Sequence, residues 1–446
     1  MGNHPGDEPE QPNPFKGTPL EQVFAALTGG GAGGVGGAGR GGAGTPDMAA
    51  LMGQLQSQMQ AMMTPHEGSV NWPLAKDVAR RVVAQQPDRS PSERDRSAVA
   101  DAMQLADHWL DSVTDFGSGV SSSSAWSRAE WVEATMDTWQ RLVEPVAEHV
   151  VAAIGEALPE EARAMAGPLL ALLGQAGGAM FGSQVGQAIG GLAGEVLSAS
   201  DIGLPLGPRG QAALLPSNVR EFAEGLDVSE DDVRLYLALR EAAHQRLFTH
   251  VPWLRGHLLS AVEDYARGTT IDISRIEETM QSVDPNNLES LQEAMNGGLF
   301  EPQKTPAQQA ALTRLETTLA LVEGWVDEVV GQAAGDRMPT ASKLQETFRR
   351  RRAAGGPAEE TFAALVGLEL RPRQLRDAST LWGSLRSRQG ATARDAVWLH
   401  PDLLPGPADL NDPLGFREGL TAPEALTDAE FDAALADLLD EGRDEE

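Results

Sequence analysis

The sequence predicts a mainly α-helical protein with little or no β-sheet and with disordered tails at both ends. Alanine and leucine carry the aliphatic content, while the 446 residues include only 2 Tyr and 11 Phe. Ala and Leu enter helices at low cost, whereas strands are enriched in aromatic and β-branched residues. Apolar residues recur with helical spacing from about residue 71 onward. The ends are instead rich in Gly, Pro or acidic residues, which favours disorder over a packed core.

Charge and cysteine content exclude several classes of protein. The 65 acidic and 35 basic residues give a formal net charge of −30, which disfavours binding to nucleic acid and to anionic membrane surfaces. The chain has no cysteine, so a zinc site must use His, Asp or Glu. The N-terminus lacks the basic start and apolar core of a signal peptide. Without a membrane span either, the sequence predicts a cytoplasmic protein. It does not indicate an oligomeric state.

Changes in composition divide the chain into four predicted regions. Residues 1–70 form a tail rich in Gly, Pro and Met, which is expected to be disordered. Residues 71–215 form an N-terminal helical region, and residues 216–405 form a second helical region that carries the chemical motif. Residues 406–446 form an acidic tail, in which 427–440 have the pattern of a short amphipathic helix.

The N-terminal helical region contains two predicted amphipathic helices, at about 95–115 and 124–154. The serines from Ser121 to Ser124 precede the second helix and are expected to supply its N-cap. Pro145 is expected to kink or divide this helix. Core packing explains its tryptophans better than ligand binding does, because large aromatic side chains dominate core energetics. These tryptophans are Trp126, Trp131 and Trp139.

Six glycines recur at every fourth position between residues 166 and 199. Residues four apart lie on one face of a helix, so the glycines form a strip against which another helix backbone can pack closely. Polar residues such as Gln184 and Glu195 would make a membrane span costly. The pattern therefore favours a tight helix pair inside a folded core. The strip consists of Gly174, Gly178, Gly182, Gly186, Gly190 and Gly194.

Further helices are expected up to about residue 399, separated by Pro and Gly. The predicted spans are 229–249, 251–267, 273–281, 287–296, 305–333, 340–353, 357–367, 372–389 and 392–399. Four arginines, Arg349 to Arg352, stand at the end of one of them. Such a run suits a phosphate or an acidic partner, but a favourable interaction with the helix dipole is the simpler explanation.

The segment LREAAHQRLFTHVPWLRGHL at 239–258 has the most informative chemical pattern. Arg240, Glu241 and His244 stand at positions i, i+1 and i+4 of a predicted helix. This is the layout of the H-E-x-x-H motif, in which two histidines one turn apart bind zinc and the glutamate acts as general base. Arginine replaces the first histidine, while the carboxylate and the second histidine are retained.

This segment resembles the zincin-like metallopeptidases of actinobacteria, a family that includes a sister group associated with the biosynthesis of a deazaflavin coenzyme. Three other stretches resemble the same family in the same order: FGSQVGQAIGGLAGEVLSASDIGLPL, LALVEGWVDEVV and TFAALVGLELRPRQLRDASTLW. The resemblance spans about 125–405 and implies a zincin-like helical core over about 71–405. It also implies a zinc-dependent hydrolase that acts on a peptide or protein. Position by position, it implies that Glu241 is the general base and that His244 and Glu323 are zinc ligands.

The chain departs from the family pattern at two positions. Relatives with an intact site have His where this chain has Arg240, and some have His at the position of Trp325. Arginine has no lone pair to offer and stays charged, so Arg240 cannot bind zinc. One His and one Glu then fall short of the three protein ligands that catalytic zinc usually needs.

Three interpretations of the altered motif follow from the residues alone. His250 or His257, or one of the acidic residues Glu263 and Asp264 that follow, could replace the missing ligand if the chain turns back at Pro252. Alternatively, the guanidinium of Arg240 replaces the metal ion by bridging Glu241 or Glu323 beside His244, because a planar fork suits buried carboxylates. This second interpretation is the one that we favour. In the third, Arg240 points to solvent and Glu241 forms a surface ion pair.

Two classes of function therefore stay open at this point. The first is a zinc-dependent peptidase in which Glu241 activates a water molecule. The second is an inactive relative that binds partners through its helical surface and its tails. Missing ligands favour the second class on mechanism, whereas the family resemblance favours the first.

Overall fold

The computed structural model describes residues 66, 68–156, 167–267, 305–353, 361 and 374–417, all of which lie in the compact unit Gln58–Glu446. Within these residues the chain forms eleven α-helices and one two-stranded sheet, which confirms the predicted mainly α class. The helices are α1 (Trp72–Val83), α2 (Glu93–Leu110), α3 (Arg128–Glu156), α4 (Gly167–Ala193), α5 (Pro216–Ala223), α6 (Glu230–His250), α7 (Leu254–Arg267), α8 (Pro306–Ala334), α9 (Ala341–Ala353), α10 (Leu375–Ala396) and α11 (Pro407–Asn411). The strands are β1 (Ser122–Ala125) and β2 (Gln211–Leu214).

The glycine strip packs α4 against α1, as the sequence predicts. A side chain at Gly182 would strike the backbone carbonyl of Asn71, and one at Gly186 would strike the carbonyl of Ala75. Gly178 and Gly190 face the same neighbouring segment. The absence of side chains therefore lets the two helix backbones approach closely. No helix in the described ranges is both long and apolar enough to cross a membrane.

The serine run has a different role from the one that its composition predicts. Ser122–Ala125 form β1, which pairs in parallel with β2. The N-terminus of α3 is capped instead by Ser127, whose Oγ accepts from Glu130 N at 3.2 Å while Glu130 Oε2 accepts from Ser127 N at 2.7 Å. The N-cap prediction for Ser121 to Ser124 was wrong because the backbone groups of this run are used by the sheet.

Helix α3 continues through Pro145 without being divided. The tryptophans of this segment lie in the core, as predicted: Trp126 is 7% exposed and Trp131 and Trp139 are fully buried. The burial of Trp131 and Trp139 fixes the apolar face of α3 against the rest of the protein.

Helices α6 and α8 form the centre of the core. Every residue from Tyr236 to Leu247 of α6 is buried, as is every residue from Thr317 to Val330 of α8. A helix that is buried all round must satisfy its polar side chains internally. Gly324 allows α10 to pack closely on α8, because a side chain there would meet Ala378.

Several predicted elements differ from the structure or lie outside its described part. The predicted break between helices 372–389 and 392–399 is present within α10, where two helical segments meet at Gly390, whose φ of 89° is non-helical. The start of the predicted acidic tail includes α11. The predicted helices 273–281, 287–296 and 427–440 lie outside the described residues, as does 357–367 except for residue 361. Of the predicted tail 1–70, only 66 and 68–70 are described.

Candidate functional site

The altered motif lies on the buried stretch of α6. Arg240 is 4% exposed, Glu241 is fully buried and His244 is 1% exposed. The interpretation in which Arg240 points to solvent does not match this burial. Ser229 is the N-cap residue of helix α6, and its Oγ accepts from Asp232 N at 3.1 Å. The motif is therefore held in the middle of a well-defined helix.

Arg240 forms an ion pair with Glu323, which comes from α8. Its Nη2 donates to Glu323 Oε2 at 2.6 Å, and both side chains are buried. The guanidinium also lies over the Phe348 ring of α9, with its carbon 5.0 Å from the ring centroid. Such stacking adds to the ion pair, because the face of an aromatic ring attracts cations. Arg240 thus connects three helices at one point.

His244 lies beside the same carboxylate. Its Nε2 lies 3.0 Å from Glu323 Oε1, and its Nδ1 lies 2.9 Å from the Arg240 carbonyl oxygen one turn earlier. Both neighbouring oxygens are acceptors, because one is a backbone carbonyl and the other belongs to an ionised carboxylate. Each ring nitrogen therefore forms a hydrogen bond with its neighbouring oxygen only when that nitrogen carries a proton. A ring nitrogen that donates in this way has no lone pair for a metal ion.

A second arginine, Arg352 of α9, also reaches Glu323. Its Nη2 lies 3.3 Å from Glu323 Oε1. Burial by itself would raise the pKa of Glu323, but the charges of Arg352 and Arg240 and the hydrogen bond from His244 outweigh burial and hold this pKa well below its ordinary value. Glu323 is therefore ionised across the physiological pH range.

Glu241 points into a separate polar environment beside β2. Its Oε2 accepts from Ser200 N at 2.9 Å and its Oε1 accepts from Gln245 Nε2 at 2.9 Å. The segment that contains Ser200 runs along β2, with Ala199 N donating to Ala213 O at 3.0 Å. Burial raises the pKa of Glu241 above its ordinary value, although His244 and these hydrogen bonds act in the opposite direction.

Gly203 closes the space around Glu323. Its φ is +76°, and a Cβ built there would lie 2.8 Å from Glu323 Oε1. Only glycine adopts this backbone conformation without strain and leaves room for the carboxylate. The Gly/Pro-rich segment that begins at Gly203, GLPLGPRG, thus contributes to the wall of the site.

The auxiliary residues suggested by the sequence have other contacts. His250 Nε2 lies 3.2 Å from the Gly117 carbonyl oxygen, and its ring stacks on Phe116. His257 packs edge-on against Trp253. Trp325 is fully buried and donates from Nε1 to Asp395 Oδ1 at 2.9 Å. None of these three side chains forms a hydrogen bond or an ion pair with Glu323 or His244 in the described part of the chain.

The residues of this cluster do not fit a catalytic zinc ion. Among the described residues, no three His, Asp or Glu side chains are arranged so that they could hold a metal ion. The atoms that would bind zinc, His244 Nε2 and the Glu323 oxygens, are engaged with each other and with Arg240. Two guanidinium groups beside the carboxylate would also repel a divalent cation.

Sequence reasoning missed several residues of the cluster. Arg352 belongs to the basic run that was assigned to the helix dipole, yet it reaches a buried carboxylate, as do its neighbours Arg349 and Arg351. The sequence did contain a signal for these contacts, because four consecutive arginines are more than a favourable interaction with the helix dipole requires. Ser200 and Gly203 carried no comparable signal, since their role depends on the path of the chain between α4 and β2.

These observations define a mainly helical protein with a buried Arg–Glu–His cluster on a helix that carries an H-E-x-x-H-like motif. The chain belongs to the zincin-like metallopeptidase family, whose model matches residues 70–416. Its fold is similar to that of a protein from Chloroflexus aurantiacus described as a "putative hydrolase with a novel fold", at 21% identity and a TM-score of 0.56. That match covers 78% of this chain and 100% of the other. No curated protein matches this sequence.

Proposed function

We propose that this chain is a non-catalytic member of its family, in which Arg240 takes the structural place of the metal ion, and that it acts by binding peptide or protein partners. The observation that carries the proposal is the pairing of Glu323. One oxygen of this carboxylate accepts from Arg240, and the other lies within hydrogen-bond distance of His244. The groups that a zinc site would need are therefore already used to stabilise the core.

Electrostatics supports the same conclusion. Replacing a histidine ligand with arginine introduces a permanent charge that a zinc site cannot accommodate, whereas the ionised Glu323 compensates it. Arg240 also packs on Phe348, so its removal would disturb the contact between α6 and α9. The cluster is well suited to hold three helices together without a metal ion.

A zinc-dependent hydrolase is the second candidate, and one observation favours it. Glu241 is kept as a buried carboxylate with a raised pKa at the position of the family's general base. A general base benefits from a pKa closer to neutrality. Its oxygens, however, accept hydrogen bonds from Ser200 and Gln245, which give Glu241 a structural role that requires no reaction.

Metal binding separates the two candidates. Purified wild-type protein, incubated with a small excess of Zn²⁺ and desalted, should retain far less than one zinc per chain by elemental analysis. Arg240→His supplies an imidazole and should retain more zinc. Arg240→Gln removes the charge without supplying a ligand, so it is the matched control.

Each of the other results has a clear meaning. Stoichiometric zinc in the wild type, together with cleavage of a peptide library that Glu241→Gln abolishes, would overturn the proposal in favour of the hydrolase. Equal zinc retention by Arg240→His and Arg240→Gln would contradict the assignment of the family's zinc site to this helix.

A further inference from the structure

A cavity of about 370 Å³ lies beside the C-terminal half of α6. Its walls combine apolar side chains, such as Phe248 and Val120, with polar ones, such as Ser121, Gln245 and Thr249. Gly119 lets the loop before β1 lie directly on α6, because a side chain there would strike the Gln245 backbone. The volume and the mixed lining are typical of sites for small molecules.

A second cavity, of about 220 Å³, adjoins the first. The two share the wall formed by Gly207, Pro208, Arg209 and Arg255. The second cavity is also lined by Arg141 of α3. Three arginines, from α3, α7 and the loop before β2, therefore border the same small volume, together with one acidic residue, Asp137 of α3.

These three arginines have no carboxylate partner within the described part of the chain. Arg255 Nη2 donates to Thr138 Oγ1 at 3.1 Å, and Arg141 Nε donates to the Asp137 carbonyl oxygen at 3.2 Å. The Nε of Arg255 is buried and has no hydrogen-bond partner among the described residues. A buried donor without a partner costs about 1–3 kcal/mol, so a ligand with an acceptor atom would gain by pairing with it.

The charges of the cluster act against one another in the absence of an anion. Burial lowers the pKa of Arg255, and the positive charges of Arg141 and Arg209 lower it further. Elsewhere in this strongly acidic chain, buried arginines such as Arg246 and Arg394 are paired with carboxylates. In contrast, Arg141 and Arg209 are exposed and Arg255 is half-buried, so an anion from solvent can reach all three guanidinium groups.

We propose that the arginine cluster, formed by Arg141, Arg209 and Arg255, binds the phosphoryl group of a small phosphomonoester, whose organic part occupies the adjoining cavity. A phosphomonoester carries a charge of about −1.5 to −2 near neutral pH and has three acceptor oxygens. Guanidinium groups match these oxygens in geometry and charge. A monocarboxylate would leave more of the positive charge uncompensated.

The inference does not depend on the proposed function. Arg240, Glu323 and His244 do not line either cavity. Only Gln245 belongs to both regions, because its amide donates to Glu241 while its side of α6 faces the larger cavity. A zinc-binding protein could hold the same anion, and a metal-free protein could lack it.

Isothermal titration with phenyl phosphate tests the proposal, with phenol and benzoate as probes that lack the phosphoryl group. Phenyl phosphate should bind saturably, more tightly than benzoate, and more weakly as salt increases. Arg209→Gln should weaken binding about tenfold or more, since a charge-assisted hydrogen bond is lost. Arg209 is exposed and forms no ion pair in the described residues, so this variant should fold normally. Arg350→Gln removes an equal charge outside both cavities and should bind like the wild type.

Three outcomes would overturn the proposal. Phenyl phosphate could fail to bind at millimolar concentration, which would show that the cluster is not an anion site. Arg209→Gln could bind as tightly as Arg350→Gln, which would place the anion elsewhere. Benzoate could bind as tightly as phenyl phosphate, which would contradict the assignment to a phosphoryl group.

Discussion

Arg240 Nη2 and Glu323 Oε2 are 2.6 Å apart, although their residues are separated by 83 positions in the chain. The pair joins two deeply buried helices, α6 and α8, at the position where an H-E-x-x-H motif would present a zinc ligand. A buried ion pair of this kind is costly to break, because the remaining charge has no water to stabilise it. The folded state of this protein therefore depends on a residue that cannot take part in metal chemistry.

Replacing Arg240 with methionine should lower the free energy of unfolding by about 3–5 kcal/mol, because Glu323 loses its shortest ion pair in a buried site. Urea denaturation followed by circular dichroism measures the loss. Arg234→Met is the matched control on the same helix. Arg234 pairs with the largely exposed Asp231 and Glu230, so its removal should cost no more than about 1 kcal/mol. Similar losses for the two variants would show that the buried pair contributes little.

Gly203→Ala should destabilise the protein more than Gly225→Ala does. Both glycines have a positive φ, +76° and +80°, so both variants carry backbone strain of about 1–3 kcal/mol. Only at Gly203 does the new methyl group also meet Glu323, since nothing lies within 4 Å of a Cβ at Gly225. The difference between their thermal midpoints isolates the steric contact with the carboxylate. If the two midpoints coincide, the wall around Glu323 can move freely.

The helical class and the glycine packing could be predicted because both depend on local patterns. The four-residue spacing from Gly178 to Gly190 is visible in the sequence, and the geometry of a helix converts it directly into a surface. The role of the serine run could not be predicted in the same way. Whether Ser122 to Ser124 cap a helix or pair with β2 depends on a partner strand almost 90 positions later.

The sequence could predict which residues of the candidate site lie close together, but it could not predict all of their contacts. The motif and the family resemblance brought Arg240, His244 and Glu323 together, and the ion pair places them in contact. Arg352 was assigned a local role because a charge at a helix end has a sufficient local explanation. Its contact with Glu323 depends on how α9 packs against α8, which no pattern within α9 encodes.

The glycine strip predicts opposite effects for two alanine substitutions in α4. Gly186→Ala should destabilise the protein, because the new methyl group would collide with the Ala75 carbonyl and with Val78 of α1. Gly191→Ala should stabilise it by about 0.5–1 kcal/mol, because nothing lies within 4 Å of a Cβ there and alanine favours the helix. Thermal unfolding of both variants shows whether each substitution raises or lowers the stability of the protein. A stabilising Gly186→Ala would contradict the close helix packing.

The pH dependence of the free energy of unfolding tests the electrostatic environment of the buried Asp201 carboxyl group. Burial would raise its pKa, but Arg351 and Arg352 outweigh burial and lower it. A carboxyl group whose pKa is lower in the folded protein than in the unfolded chain stabilises the fold. The stabilisation is complete above the unfolded-state pKa of about 3.9 and is lost as the pH falls through the folded-state pKa. Asp201→Asn should therefore cost about 2–3 kcal/mol between pH 5.5 and 8, as expected for a hydrogen bond to a charged group, and progressively less below about pH 4. Urea unfolding of both proteins at each pH measures the difference, and a difference that grows on acidification would contradict the assigned sign.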